Sequence, residues 1–177
     1  MDRVTVNGKS FRMSIPEADI LREVDRVAAE LNRDMADANP IFLCVLNGAF
    51  MFAADLMKRV TVPCEISFVK LSSYAGTQST GDVRQLIGLS DSLRGRNVVI
   101  VEDIVDSGLT MLRLLDLVRE HEPRDVRICS LLVKPDKLKV DLHVDYVAME
   151  IPNDFIVGYG LDYDGMGRNL PSIYTLE

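Results

Sequence analysis

The stretch VVIVEDIVDSGLT, residues 98–110, decides the fold prediction. Its first four residues, Val98–Val101, are β-branched and apolar, which is typical of a strand buried on both faces of a sheet. Three carboxylates follow at Glu102, Asp103 and Asp106, before a small-residue turn opens a helical pattern. This order indicates a βα unit of a mostly parallel sheet. Because carboxylates this close repel one another, we expect a bound cation or hydroxyl donors to offset the charge.

Strand and helix patterns alternate along the rest of the chain. A helix is predicted from a capping box at Ser14 and Glu17 to about Asn39, with an apolar stripe at helical spacing. The other predicted helices are 50–59 and 109–120, the second with Leu112, Leu115 and Leu117/Val118 towards the sheet, and the predicted strands are 41–46, 64–71, 84–90, 96–103, 126–134, 146–151 and 155–160. The fold class predicted is α/β, a mostly parallel central sheet flanked by helices in a single domain of residues 1–177.

Composition excludes several classes of protein. The 177 residues are 47% hydrophobic and 27% charged, as in an ordinary globular domain. A net charge of −7 disfavours nucleic acid as a main partner. No stretch approaches the roughly 20 apolar residues of a membrane span, and the N-terminus is too polar for a signal peptide. Three scattered cysteines indicate buried thiols in a reducing compartment, so a cytoplasmic protein is expected.

The turn that follows the acidic pair suits a phosphate. A helix N-terminus offers unpaired N–H groups and the positive end of a dipole, while hydroxyls add donors and glycine permits a close approach. The turn consists of Asp106, Ser107, Gly108, Leu109 and Thr110. A ribose 5-phosphate fits, with its hydroxyls on Glu102 and Asp103. The alternative is a solvated acidic turn in which Asp or Ser caps the helix.

The opening stretch resembles the phosphoribosyl-pyrophosphate (PRPP) motif of the type I phosphoribosyltransferases. Four other segments narrow the resemblance to the hypoxanthine-guanine phosphoribosyltransferases: LNGAFMFAADL (46–56), SSYAGTQSTGDV (72–83), LLVKPDK (131–137) and EIPNDFIVGYGLDYDGMGRNLPSIYTL (150–176). The resemblance covers nearly the whole chain. It implies a small hood built from the chain ends, a homo-oligomer (dimer or tetramer), and Mg²⁺-dependent transfer of phosphoribose from PRPP to N9 of a 6-oxopurine.

By this resemblance, four residues handle the purine. Asp106 is the general base that accepts the proton of N7, with a helix N-cap as the alternative role. Lys134 donates to the exocyclic O6, although a lysine there can simply end a strand. Phe155 stacks on the base, or packs in the core. Ile156 presents backbone groups to the base edge.

The resemblance also implies a pyrophosphate loop at Leu46, Asn47 and Gly48. In the family the peptide bond between the first two positions can be cis. Many relatives carry Lys or Arg where Asn47 stands, which removes one cation from beside pyrophosphate. Arg168 matches a pyrophosphate-contacting arginine, with a surface arginine as the alternative. An ordinary Asn-Gly turn is the alternative for the loop.

Asp162 matches the family's Mg²⁺ ligand, and Glu102 and Asp103 are candidates for the metal shell. A single aspartate suffices, since Mg²⁺ keeps several waters. The turn-rich loop 72–84, with Ser73 and Tyr74 near its start, resembles a mobile lid that excludes water from the reacting centre.

Two other functions compete with a hypoxanthine phosphoribosyltransferase. A regulatory protein with this fold would bind PRPP or nucleotide without turnover; the presence of both Asp106 and the lid disfavours it. A phosphoribosyltransferase for another base is disfavoured by Lys134 and the FIVGYGLDY segment (155–163).

Overall fold

A six-stranded sheet forms the centre of the computed structural model, which describes residues 2–73, 83–87 and 92–177. Its strands are β3 Ile41–Leu46, β4 Glu65–Ser73, β5 Val83–Ile87, β6 Asn97–Val105, β7 Asp125–Val133 and β8 Tyr146–Glu150. They follow the order β5-β4-β3-β6-β7-β8, and all neighbours are parallel except the edge strand β5. The predicted α/β class with a mostly parallel sheet is confirmed.

Apolar clusters cover both faces of this sheet. Val99 and Val101 point into one cluster and Val98 and Ile100 into the other, and each of the four is at most 1% exposed. The first cluster lies under α1 (Glu17–Asp34) and α2 (Phe50–Met57), and the second lies under α3 (Leu109–Arg119). Burial on both faces explains why the strand has no polar alternation.

Two details of the helices differ from the prediction. The capping box does not form, because Ser14 donates to the Ile173 carbonyl and the Glu17 N–H donates to Ser172 Oγ at 3.0 Å. Ser172, a residue far away in the sequence, therefore supplies the hydrogen-bond acceptor at the start of α1. In α3 the buried side is Met111, Leu114, Leu115 and Val118, whereas Leu112 is only half-buried. Because leucines occur on several sides of this helix, the sequence alone does not determine which side faces the sheet.

Strand β6 is longer than predicted, and this places the acidic pair within it. The pairing with β3 stops at Cys44 and Val101, but the pairing with β7 continues to Val105 and Val133. The expectation that the strand ends at residue 103 is therefore wrong. The two acids lie where β6 has lost one neighbour, so their side chains stand at the carboxyl edge of the sheet, where open α/β folds bind ligands.

The predicted hood is a second, antiparallel sheet from the two chain ends. It consists of β1 (Arg3–Val6), β2 (Lys9–Ile15), β9 (Ile156–Val157) and β10 (Ile173–Leu176) in the order β1-β2-β10-β9. A strand over 155–160 was expected, but β9 has two residues. Gly158, Tyr159 and Gly160 all have positive φ, which ends the extended conformation.

The segment 72–84, predicted to be a loop, begins within one strand and ends within its antiparallel neighbour. β4 ends at Ser73 and β5 begins at Val83, whereas residues 74–82 lie outside the described residues. The lid prediction for Tyr74 therefore falls outside the structure, and Ser73 is the last residue of its strand. Within the described ranges, no helix is both long and apolar enough to cross a bilayer.

Candidate active site

Glu102 and Asp103 form a buried acidic pair at the carboxyl edge of the sheet. The Glu102 side chain accepts the Asp103 N–H at 3.0 Å, and Asp103 Oδ1 accepts the Ile104 N–H at 2.8 Å. Burial, followed by the neighbouring negative charge, raises the pKa of Glu102 well above its usual value. Burial also raises the pKa of Asp103, against a lowering influence of Arg168. Among the described residues neither acid forms an ion pair, so the pair is suited to a cation or to hydroxyl donors.

The loop that follows β3 packs directly against this pair. The peptide bond between Leu46 and Asn47 is cis, as the resemblance implied it can be. A Cβ at Gly48 would overlap the Asp103 carboxylate, and a Cβ at Gly160 would overlap the Gly48 carbonyl. Both glycines are therefore required for close packing, which the sequence alone did not reveal. This packing joins the loop, the acidic pair and the hood.

The turn at residues 106–110 has the geometry of an anion-binding site. Gly108 precedes α3 with φ +82° and has no side chain with which to cap the helix. The Leu109 N–H donates to Ser107 Oγ at 3.3 Å. Leu109 and Thr110 are exposed. Asp106 does not cap the helix, so the alternative role considered for it is wrong; the helix N-terminus faces solvent and is available to a phosphate.

The two oxygens of Asp106 have different surroundings. Oδ2 accepts from Lys137 Nζ at 2.9 Å and lies 3.8 Å from Lys134 Nζ. Oδ1 is buried and has no hydrogen-bond partner within the described part of the chain. Lys134 is buried, at 6% exposure, and its Nζ donates to the Asp154 carbonyl at 2.8 Å. One carboxylate oxygen is thus bound by lysine, while the other is buried without a hydrogen-bond partner. Sequence reasoning missed Lys137.

Three aromatic rings, those of Phe11, Phe155 and Tyr163, cluster at the hood, next to the Asp154 carbonyl that Lys134 contacts. Phe155 is 48% exposed, and its ring meets Tyr163 edge-to-face at 5.5 Å between centroids and 84° between planes. Phe11 is buried against both rings at 6.2 Å. Phe155 is therefore not a core residue, and its exposed ring can stack on a planar ligand. The next residue, Ile156, is buried in β9.

Asp162 and Arg168 form an ion pair, and Arg168 lines a cleft next to the loop that follows β3. Arg168 Nη2 lies 2.8 Å from Asp162 Oδ1, and its Nη1 donates to the Gly160 carbonyl at 2.6 Å. Asp162 Oδ2 accepts the Gly165 N–H at 2.7 Å. A cleft of about 350 Å³ lies between the loop at Leu46–Phe50 and residues 165–169, Arg168 included. The arginine is therefore not a solitary surface residue.

The donor set fits a hydrated divalent cation. Within residues 2–73, 83–87 and 92–177, there is no cluster of three or more Asp, Glu, His or Cys side chains that could hold a metal ion. Asp162 thus stands apart from the acidic pair. Mg²⁺ commonly takes one or two carboxylates with waters and phosphate oxygens, and a cation would favour the charged forms of the buried carboxyl groups of Glu102 and Asp103.

Comparisons with known proteins agree with this arrangement. The family model "Phosphoribosyl transferase domain" matches residues 16–164. A hypoxanthine-guanine phosphoribosyltransferase of Bacillus subtilis is 41% identical over 167 residues, 94% of this chain and 93% of that protein. The crystal structure of a hypoxanthine-guanine phosphoribosyltransferase of Bacillus anthracis is similar with a TM-score of 0.87 and 39% identity, covering 93% of this chain and 96% of that one. A hypoxanthine phosphoribosyltransferase structure from Staphylococcus aureus has a TM-score of 0.89 at 36% identity, over 94% and 91% of the two chains.

Proposed function

The chain belongs to the hypoxanthine-guanine phosphoribosyltransferase family, and on that premise we propose that it transfers the 5-phosphoribosyl group of PRPP to N9 of hypoxanthine or guanine. The products are IMP or GMP and pyrophosphate, a purine-salvage reaction. The observation that carries the proposal is the asymmetry of Asp106: one oxygen is bound by lysine and the other is buried and unpartnered, next to an anion-binding site and an acidic pair.

In this proposal the 106–110 turn binds the 5-phosphate, through the α3 N-terminus and the hydroxyls of Ser107 and Thr110. Glu102 and Asp103 accept hydrogen bonds from the ribose hydroxyls. These donors replace water around carboxylates that the fold has already desolvated. The sugar is thereby fixed with C1 towards the loop at residues 46–48.

Pyrophosphate lies between that loop and Arg168. Leu46, Asn47 and Gly48 offer backbone N–H groups, and the arginine offers a planar fork that binds phosphate oxygens in pairs. Asp162 on one side, and Glu102 and Asp103 separately on the other, are the residues that would hold Mg²⁺, which supplies positive charge for the leaving group when bound. Since Arg168 contacts Asp162 in the ligand-free chain, pyrophosphate and the carboxylate compete for the same guanidinium.

The purine lies on the exposed ring of Phe155, with its edge along the backbone of Ile156. Lys134 donates to O6, which selects an oxopurine over adenine. Asp106 Oδ1 accepts the proton of N7 as N9 attacks C1 and the bond to pyrophosphate breaks. Because an aspartate is a weak base, it contributes mainly by accepting a hydrogen bond from N7–H and by stabilising the positive charge that develops on the purine in the transition state.

We further propose that the chain is one domain, that it forms a homo-oligomer and that it acts in the cytoplasm. The packing of Gly160 on Gly48 supports the first point, since the hood and the central sheet share one site. Family membership supports the second. The free, buried thiols of Cys44 and Cys129 suit a reducing compartment.

A direct test is an assay with PRPP, Mg²⁺ and one purine base at a time, followed by chromatography of the nucleotides. Hypoxanthine and guanine are expected to give IMP and GMP with stoichiometric pyrophosphate, and adenine to give no product above background. PRPP binding by calorimetry with no nucleotide formed from any base would contradict the enzyme and support the regulatory alternative.

A further inference from the structure

Lys137 is the last residue of the segment LLVKPDK (131–137), where the sequence indicated no site role for it, and in the structure it contacts the Asp106 carboxylate. It ends the short 3₁₀ helix Pro135–Lys137, which follows β7. Its Nζ lies 2.9 Å from Asp106 Oδ2, closer than the 3.8 Å of Lys134. Two lysines therefore approach one oxygen, and the nearer one has no role in the proposed chemistry so far.

The backbone around Lys137 is fixed against the turn that carries Asp106. The Lys137 N–H donates to the Lys134 carbonyl at 3.1 Å, and the Lys139 N–H donates to the Ser107 carbonyl at 2.9 Å. A Cβ at Gly108 would contact Val140 Cγ2 at 2.8 Å, so this segment lies directly over the turn. The lysine thus approaches Asp106 from a defined position.

We propose that Lys137 is a positioning residue for the proton acceptor. Its ammonium binds Oδ2 and thereby fixes the rotamer of the carboxylate, whose Oδ1 is buried without a hydrogen-bond partner. In the proposed reaction this fixed Oδ1 is the acceptor of the N7 proton. Lys134, which already donates to Asp154, then remains available to O6. The inference rests on the proposed function. In the step concerned, N9 bonds to C1, the C1–O electron pair leaves with pyrophosphate, and the N7 proton passes to Oδ1.

A purely structural role is the competing explanation for the ion pair. Both side chains are 40% exposed, and exposed pairs add little to stability. Replacing Lys137 should therefore leave the fold intact, while a carboxylate that samples other rotamers should lose rate. A misplaced group near the reacting atoms can reduce turnover strongly without weakening substrate binding.

The test is a double-mutant cycle between Lys137→Met and Asp106→Asn, measured with saturating PRPP and hypoxanthine, using radiolabelled base for slow variants. Lys137→Met should reduce kcat about tenfold and leave the KM for PRPP within about twofold. Lys137→Arg should recover most of that loss, since it keeps the cation. In the Asp106→Asn background Lys137→Met should change kcat by less than about twofold, because its effect acts through the carboxylate. Lys139→Met is the matched control, since that exposed lysine meets the turn through its backbone.

Two results would overturn the inference while wild-type turnover persists. One is an unchanged kcat in Lys137→Met, and the other is an equal fold-loss in both backgrounds. Absence of wild-type turnover would instead refute the proposed function, and the inference with it. Circular dichroism melting of each variant, expected within about 2 °C of the parent, separates loss of rate from loss of fold.

Discussion

Replacing Glu102 by Gln removes a charge from a buried carboxylate while keeping its size and its acceptor for the Asp103 N–H. Glu102 is 9% exposed, and its pKa is raised by burial and by the adjacent Asp103. A carboxyl group whose folded-state pKa exceeds its unfolded value of 4.5 binds its proton more tightly in the folded chain. Stability therefore falls as the pH rises above about 4.5, and the full penalty is present above the folded-state pKa.

The size of this penalty follows from linkage. Each pH unit by which folding raises a pKa costs about 1.4 kcal/mol at high pH. We expect Glu102→Gln to stabilise the ligand-free protein by about 1–3 kcal/mol at pH 8, with much of the gain lost by pH 5. For a chain of this length each kcal/mol raises Tm by about 2–4 °C. The same substitution should weaken PRPP binding, since the charge serves the ligand and not the fold.

The assay is urea denaturation of the ligand-free protein at pH 5 and pH 8, with PRPP binding measured by calorimetry. Glu120→Gln, at an exposed position, is the control and should change stability by less than about 0.5 kcal/mol at either pH. A Glu102→Gln variant that is less stable than wild type at pH 8, or whose gain is the same at both pH values, would refute the reasoning.

Three further substitutions test the rest of the site. Asp162→Asn should raise the Mg²⁺ concentration for half-maximal rate about tenfold in a metal titration; an unchanged requirement would remove this residue from the metal shell. Asn47→Lys should add a cation beside Arg168 and lower the KM for pyrophosphate in the reverse reaction several-fold, with a gain that shrinks as salt is added; a salt-independent effect would argue against electrostatics. Lys134→Met should reduce kcat/KM for hypoxanthine about 10- to 100-fold, with PRPP affinity retained, since a charged hydrogen bond to O6 is lost; equal losses for both substrates would indicate a general defect.

Local patterns predicted the parts of the fold that depend on neighbours in sequence. The apolar run Val98–Val101 marked a strand covered on both faces, and the stripe of α1 marked its buried side, as found. The end of β6 was wrong because it is set by how far β7 continues after β3 stops, a non-local property. The Ser172 cap of α1 was missed for the same reason.

In the site, sequence motifs identified the chemical groups but not their mutual contacts. The contact of Gly48 with Asp103 has no local signal, since any Asn-Gly turn contains such a glycine. Lys137 lies 31 residues from Asp106 along the chain, on a segment where lysines are common. Its significance appears only once the segment is placed over the turn. A search for cations near the end of β7 could have raised it as a candidate, but not chosen it over Lys139.

The most direct measurement is the turnover of Asp106→Asn with hypoxanthine, PRPP and Mg²⁺, beside its PRPP affinity by calorimetry. The amide keeps the size of the side chain and removes the acceptor charge that faces N7. We expect kcat to fall by about 100-fold or more, with the PRPP dissociation constant within about twofold of wild type. A kcat near wild type would contradict the account, because the free oxygen of Asp106 would then not be the proton acceptor.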